Sequence, residues 1–578
     1  MRQRGAVLAV LALAASACMV IFSFAPYDCG FLMWVAFVPT MLAVALGKQS
    51  KRNGLLFMAA GFAVWLVGAD WLRNIAVAAW IAAAFILSFK WLLLYSLLRY
   101  LHGKRVPFTF SFPIVLVGLE GLQGWLFGGF DWNFAAHSQY KWPIIIQIAD
   151  ITGAAGVSFL LGAVNGYFVD LILLVRKMIS LRSVSGNWRV VDMRPVWKAV
   201  APVLVSELFV VTCLLVVFFY GKKQLAGLEL TEGPLVGIVQ PDIPSSAKIE
   251  MVSADEVLER LITQTKLCRK ESGADVIAWP ETMIPTVMNI EYVSCLREGS
   301  FGRDVYNELR MLTREEDFSL IAGAPTATLA EREGRLWVDK EYNSAVCFDR
   351  GTLLPNRYDK IHLVPFGEYI PFAEKGLFKD FIMRFNSEGY DFVIDRGEAL
   401  NRFATGSVAR QITIAPSICY EDTDAELTRR AVDAASCKPQ LLLNISNDGW
   451  YVKTDGSRSI GPGKEHFQRL AICVFRAVEN RVSLVRSVNT GVSCLIDPLG
   501  RIIDSYAFGN LPEKVKERGA SEGWFADYVP QCEKVSVFAR TGNRLGNMLR
   551  AVVIGLFAAM MIETAAGKIG ARKKQMEK

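Results

Sequence analysis

The sequence has little of what metal and redox proteins usually carry. Four histidines are scattered through 578 residues, and none of the eleven cysteines falls in a CxxC pair or other metal-ligand spacing. Zinc ribbons and fingers are thereby excluded, and no metal is expected. A nucleotide-phosphate loop is missing too: Gly461-Pro462-Gly463-Lys464 runs into Glu465 where the motif needs Ser or Thr. Charge is scarce, at 21% of residues against 52% hydrophobic, and mean hydropathy is positive. A soluble chain of this length is less apolar. The formal net charge is +7, but the basic residues cluster beside apolar runs. That is a pattern of membrane topology, and no nucleic-acid partner is expected.

What is there is a series of apolar runs long enough to cross a bilayer. They lie at roughly 6–26, 29–47, 54–72, 75–98, 108–128, 157–175, 199–220 and 544–566, with Lys90 interrupting the fourth. Arg2 and Arg4, then Lys48, Lys51 and Arg52, then Arg99, Lys104 and Arg105, load every second connection with positive charge. The loop from Arg176 to Lys198 and the tail at Arg572–Lys574 continue the alternation; Arg73 and Lys141 are exceptions. By the positive-inside rule both termini are cytoplasmic and the block 221–543 lies outside. Ala15-Ser16-Ala17-Cys18 loosely resembles a lipoprotein cleavage box, but the apolar run continues through Phe22, so the first span is expected to be an anchor. Three domains follow: a bundle of about seven helices at 1–220, an extracytoplasmic domain at 221–543, and a last helix with a basic tail at 544–578. Asp70, Glu120, Asp131 and Asp150 fall at or near membrane depth, where a charge costs about 2.5–3.5 kcal/mol at a helix centre. Glu120 is expected either to wall a cavity or to make a helix–helix hydrogen bond.

The outer block alternates strand and helix patterns, which predicts a sheet buried by helices in an α/β layered domain. Within it, Gln411–Asp422 reads as strand, sharp turn, helix, with Cys419 at the turn. A thiol so placed suits a nucleophile with backbone N–H donors beside it. Glu281 ends the strand ADVIAWPE, and Lys360 stands before the apolar stretch IHLVPF. A free thiol is mostly protonated at neutral pH, so cysteine chemistry needs a base to take the proton and a cation to favour the thiolate. Singly, each has a bland reading as core cysteine, turn glutamate or loop lysine. Together in one domain they make one reaction. LLLNISNDGWY reads as a strand with a loop near the site, whose Trp450 and Tyr451 either touch lipid or pack, while His466 reads as structural. Seven other cysteines of this domain are free to pair or not.

Glu281 in AWPET, Lys360 in YDKIHLVPFGEYIP and Cys419 in PSICYED resemble the Glu-Lys-Cys triad of the nitrilase (carbon–nitrogen hydrolase) superfamily. With FAPYD, LEGLQGWLFGGFDWNFAAHSQ and ITGAAGVSFLL, nearly the whole chain resembles the apolipoprotein N-acyltransferase family. The resemblance implies a membrane α-helical bundle of about eight helices carrying an αββα sandwich. It implies Cys419 as the nucleophile that forms a thioester, Glu281 as general base and Lys360 as oxyanion stabiliser. Glu368 would hold the lysine, with Asn343, Tyr420 and Glu421 supporting. The implied reaction is ping-pong: phosphatidylethanolamine gives an acyl group, and the amine of a diacylated apolipoprotein accepts it. No cofactor is implied. The implied setting is a monomer in the bacterial inner membrane with a periplasmic site. A membrane-anchored amidase with the same triad is the alternative. Three positions depart from the family pattern: Gln123 stands for an arginine, Asp131 for a proline and Ile249 for an aromatic. The length of Met288–Glu315 is not accounted for by the resemblance.

Overall fold

The structure is a computed structural model that describes residues 2–47, 51–185, 193–243, 253–365, 367–369, 394–407, 410–433, 437–452, 461 and 463–576. Ile249 and the loop cations Lys48 and Arg189 lie outside the described residues. The chain divides into two compact units. One comprises Met1–Leu126, Asp131–Ala226 and Asn543–Lys578; the other comprises Phe127–Phe130 and Gly227–Gly542.

The first unit is helical, and apolar helices fall on each of the eight stretches read from the sequence. They are Arg2–Ser23, Val38–Leu46, Lys51–Gly68, Val77–Gly103, Phe108–Gln123, Ala154–Ser185, Met193–Gly227 and Arg544–Met576. Four contain segments long and apolar enough to cross a membrane: Val77–Gly103, Ala154–Leu181, Val196–Gly227 and Arg544–Ile569. The others are shorter. The second stretch is broken into a 3-10 turn, Gly30–Trp34, and a nine-residue helix that opens on Pro39. Lys90 does not interrupt its helix: its ammonium donates to Gln123 Oε1 at 2.9 Å, and Gln123 Nε2 donates to the Trp132 carbonyl at 2.8 Å. Glu120 accepts the Ala135 N–H at 2.7 Å and also lines, with Lys90, a cavity of about 50 Å³. Asn165, fully enclosed, clasps Met33, Phe37 and Leu161 through their backbones at 2.8–2.9 Å. A Cβ on Gly118 would lie 2.3 Å from Val553, so the helices Phe108–Gln123 and Arg544–Met576 meet through a small-residue contact.

The second unit is a four-layer sandwich. One sheet has eight described strands in the order Phe508–Gly509, Gly523–Tyr528, Leu235–Gln240, Val276–Ala278, Ser319–Arg332, Arg335–Asp349, Thr352–Leu353, with Tyr358–Asp359 also on Arg335–Asp349. The other runs Ile502–Ile503, Cys494–Ile496, Ser483–Val488, Leu441–Ser446, Arg410–Ile418, Phe403–Ser407. Parallel pairings at the centre of each sheet are flanked by antiparallel ones. The sheets face each other: Ser487 Oγ donates to the Ala278 carbonyl at 3.1 Å, and Thr405 Oγ1 to Asp349 at 3.0 Å. Helix Ala254–Ser272 covers the outer face of the first sheet, starting at the N-cap Ser253, whose side chain accepts the Glu256 N–H at 3.2 Å. The long segment Met288–Glu315 finds its place here as well. It forms helices Ile290–Ser294 and Phe301–Glu315, and Val293, Val305, Leu309 and Leu312 join the same core. Helices Ala425–Asp433 and Lys464–Asn480 cover the second sheet.

Candidate active site

Three strand ends supply the chemistry. The strand Arg410–Ile418 pairs in parallel with Leu441–Ser446 and stops at Cys419, which opens a 3-10 turn with φ +50°. A non-glycine residue held there costs of order 1–3 kcal/mol, a conformation that the surrounding fold must enforce. Glu281 lies three residues past the end of Val276–Ala278, and it packs so closely on Gly323 that a Cβ there would sit 2.5 Å from the Glu281 Cα. Lys360 follows Tyr358–Asp359, and its N–H donates to the Asn343 carbonyl at 2.8 Å. All three side chains are buried, at 6%, 5% and 1% exposure for Cys419, Glu281 and Lys360.

The Lys360 ammonium donates to Glu281 Oε1 at 3.0 Å and to Glu368 Oε1 at 2.6 Å. Glu281 also accepts from Asn343 Nδ2 at 2.7 Å and from the Asn447 N–H at 2.9 Å. Every one of these neighbours donates to the Glu281 carboxylate oxygens. Glu368 is fixed in turn by the Val364 N–H at 2.8 Å. Burial alone would depress the lysine, but Glu281, Glu368 and Cys419 hold it well above its ordinary range, so it stays charged. Burial pushes the Cys419 thiol up, and the charge of Glu281 pushes it further; Lys360 and then Arg469 pull it back. The net shift is upward, so at neutral pH this thiol needs a base.

Glu421 ties the nucleophile turn to the lysine loop. Its carboxylate accepts four hydrogen bonds: from Ile361 and His362 N–H at 2.6 and 3.0 Å, Ile418 N–H at 2.7 Å and Tyr358 Oη at 2.9 Å. Glu421→Gln sets an amide NH₂ against buried donors, and each donor left unpaired costs about 1–3 kcal/mol. Thermal unfolding of that variant is expected to show a loss of about 2–4 kcal/mol, together with impaired turnover. An unchanged melting curve would mean that the clamp carries no weight.

Of the other residues anticipated from sequence, Tyr420 donates its hydroxyl to the Gly129 carbonyl at 3.0 Å and meets His362 edge-on at 5.2 Å. Trp450 is half-exposed on the turn Asp448–Trp450, directly after the Asn447 that holds Glu281. Tyr451 is buried. Sequence reasoning missed Arg469. Its guanidinium, on helix Lys464–Asn480, bonds Asp422, Ser446 and Asp448 at 2.7 Å each and reaches the nucleophile. Asp448, Glu465 and His466 place ligand atoms within 4.8 Å of one another. Arg469 lies 2.7 Å from Asp448 and 3.3 Å from Glu465, and Arg486 lies 3.7 Å from Asp448, so guanidinium groups already balance these carboxylates.

Residues 16–167 match the family described as apolipoprotein N-acyltransferase N-terminal domain, and residues 235–511 match carbon-nitrogen hydrolase. The apolipoprotein N-acyltransferase of Geobacter metallireducens is 31% identical over 489 residues, covering 82% of each chain. That of Photobacterium profundum is 27% identical over 506 residues, covering 83% of each. Among solved structures, an amidase from Nesterenkonia sp. is similar over 56% of this chain and 98% of its own, at 15% identity and a TM-score of 0.35. Nit3 of Saccharomyces cerevisiae, from the nitrilase superfamily, covers 52% and 91% at 16% identity and a TM-score of 0.33. By its sequence relatives over more than four-fifths of its length, this chain belongs to the apolipoprotein N-acyltransferase family of membrane acyltransferases.

Proposed function

We propose that the chain moves a fatty acyl group from a phospholipid, with phosphatidylethanolamine as donor, to the α-amine of a diacylglyceryl-cysteine on an apolipoprotein. The observation that carries this is the Lys360 ammonium held between Glu281 at 3.0 Å and Glu368 at 2.6 Å, with the Cys419 thiol as the third group that acts on it. In the first half-reaction Glu281 takes the thiol proton as the Cys419 sulfur bonds to the ester carbonyl carbon. The oxyanion that forms faces Lys360, where each preorganised donor contributes about 2.7–4 kcal/mol of transition-state stabilisation. Collapse breaks the ester C–O bond, and the lysophospholipid oxygen leaves with the proton from Glu281. In the second half-reaction the amine attacks the thioester and passes its proton to Glu281. The C–S bond breaks, the sulfur recovers the proton, and an amide results.

Both substrates carry acyl chains that reside in the bilayer, so a site on a membrane-anchored chain avoids their extraction into water. The basic connections orient the termini to the cytoplasm and the 221–543 domain to the periplasm of an inner membrane. The enzyme acts as a monomer. Intact-mass spectrometry after incubation with phosphatidylethanolamine tests the reading. Wild type is expected to gain a hydroxylamine-labile acyl mass and Cys419→Ala none; adding a diacylated lipopeptide is expected to discharge it. Turnover of small amides with no acyl adduct from any phospholipid would reject the transferase in favour of a hydrolase.

A further inference from the structure

We propose that Arg469 is a second cationic residue of the reaction, acting on the sulfur of Cys419 and on the turn that presents it. The guanidinium is buried, with 2% of its side chain exposed. Nη2 donates to the Cys419 carbonyl at 2.7 Å, and Nη1 lies 3.8 Å from the Cys419 Sγ. Nε and Nη2 grip Asp422, three residues past the nucleophile, at 3.1 and 2.7 Å. Nη1 meets Ser446, the last residue of the neighbouring strand, and Asp448 just past it, at 2.7 Å each. One planar fork thus joins both ends of the nucleophile turn to the adjacent strand end. Cys419 has a left-handed backbone, and two donors, Arg469 and Asn444 Nδ2 at 3.1 Å, converge on its carbonyl oxygen. Those bonds hold the peptide in the orientation that aims the thiol.

The division of labour with Lys360 follows from their partners. Lys360 is committed to the carboxylates of Glu281 and Glu368, and serves the carbonyl oxygen of the substrate. Arg469 comes from a different element and is the cation hydrogen-bonded at the sulfur itself. The charges facing the sulfur are Glu281, Lys360, Arg469 and Asp448, with the Tyr451 hydroxyl nearby. Those facing the guanidinium are Asp422, Asp448 and Arg486, with the thiol of Cys473, the Glu465 carboxyl, which burial and then Asp448 push up to about 8, and neutral His466 beyond. Asp422, Asp448 and Glu465 keep Arg469 in place, and Arg469 and Lys360 both act to lower the thiol against its burial.

The proposal rests on Cys419 being the nucleophile, and its test needs no lipid substrate. Full-length wild type, Arg469→Gln and Arg469→Lys are alkylated with iodoacetamide from pH 6 to 10, following the Cys419 peptide by mass. An opposite charge within about 4–6 Å shifts a titration by one unit or more, so Arg469→Gln is expected to alkylate about tenfold slower at pH 7. Its profile moves to higher pH. Arg469→Lys is expected to move the same way by less, since an ammonium drawn to Asp422 and Asp448 leaves the sulfur, and to lose acylation while keeping its fold. A purely structural arginine would lower the melting temperature and leave the alkylation profile in place. Coincident profiles in the folded variants overturn the proposal; if Arg469→Gln fails to fold, Arg469→Lys alone decides. A displaced profile with no acyl adduct on wild type would reject the phospholipid reading and leave this one standing.

Discussion

Lys360→Met is expected to slow acylation of Cys419 by about 10²–10³-fold, the loss of one strong oxyanion donor. Stability is expected to fall by about 3–5 kcal/mol in the same variant, because the buried Glu281 and the partly buried Glu368 are left without the cation between them. Two effects on one residue invite the objection that inactivity merely reports unfolding. The pair of partners separates them. In Lys360→Met/Glu368→Gln one of the facing charges is gone, so melting should recover much of the loss while acylation stays at the level of the single variant. Lys360→Arg is expected to fail as well, since a wider guanidinium does not fit a site whose lysine is 1% exposed. Single-turnover acylation beside thermal unfolding reads both quantities. If the double variant regained transfer, the lysine would be a structural counter-ion, and the oxyanion role would be lost.

The membrane half was legible because hydrophobicity is written directly into each span, and turn or helix matters little to that signal. For the same reason the sequence could not show that 29–47 breaks at Gly30–Trp34, as both conformations use the same apolar residues. Lys90 looked like an interruption because its partner, Gln123, lies 33 positions away. Gln123 there accepts from a lysine, a pairing that an arginine would not make. Phe301–Glu315 was readable in principle: Val305, Leu309 and Leu312 recur at helical spacing.

In the site, short words such as AWPET and YDKIHLVPFGE made Glu281, Lys360 and Glu368 stand out one by one. What the words do not contain is their convergence, with Asn343 and Asn447 arriving from separate strands. Arg469 escaped notice because Glu465 and Arg469 at i, i+4 look like any exposed helical ion pair. Only burial of the whole helix turns that pair into part of the site.

Glu281→Gln is expected to produce two opposite changes. Without a base to take the thiol proton and return it to the leaving oxygen, acylation should fall about 10²–10⁴-fold. Yet the Glu281 charge is the largest influence, after burial, that holds the Cys419 thiol up. Once it is neutralised, Lys360 and Arg469 act unopposed by it, the thiol titrates at lower pH, and alkylation by iodoacetamide at fixed pH should speed up. The amide also faces three donors with one oxygen, so a backbone or lysine hydrogen bond is lost at a cost of about 1–3 kcal/mol. That cost predicts a lower melting temperature but gives no reason for a more reactive thiol. Faster alkylation with slower acylation therefore isolates proton transfer as the role of Glu281. If both rates fell together, the glutamate would be needed to take the thiol proton in either reaction, and slower acylation would no longer isolate its return of that proton to the leaving group.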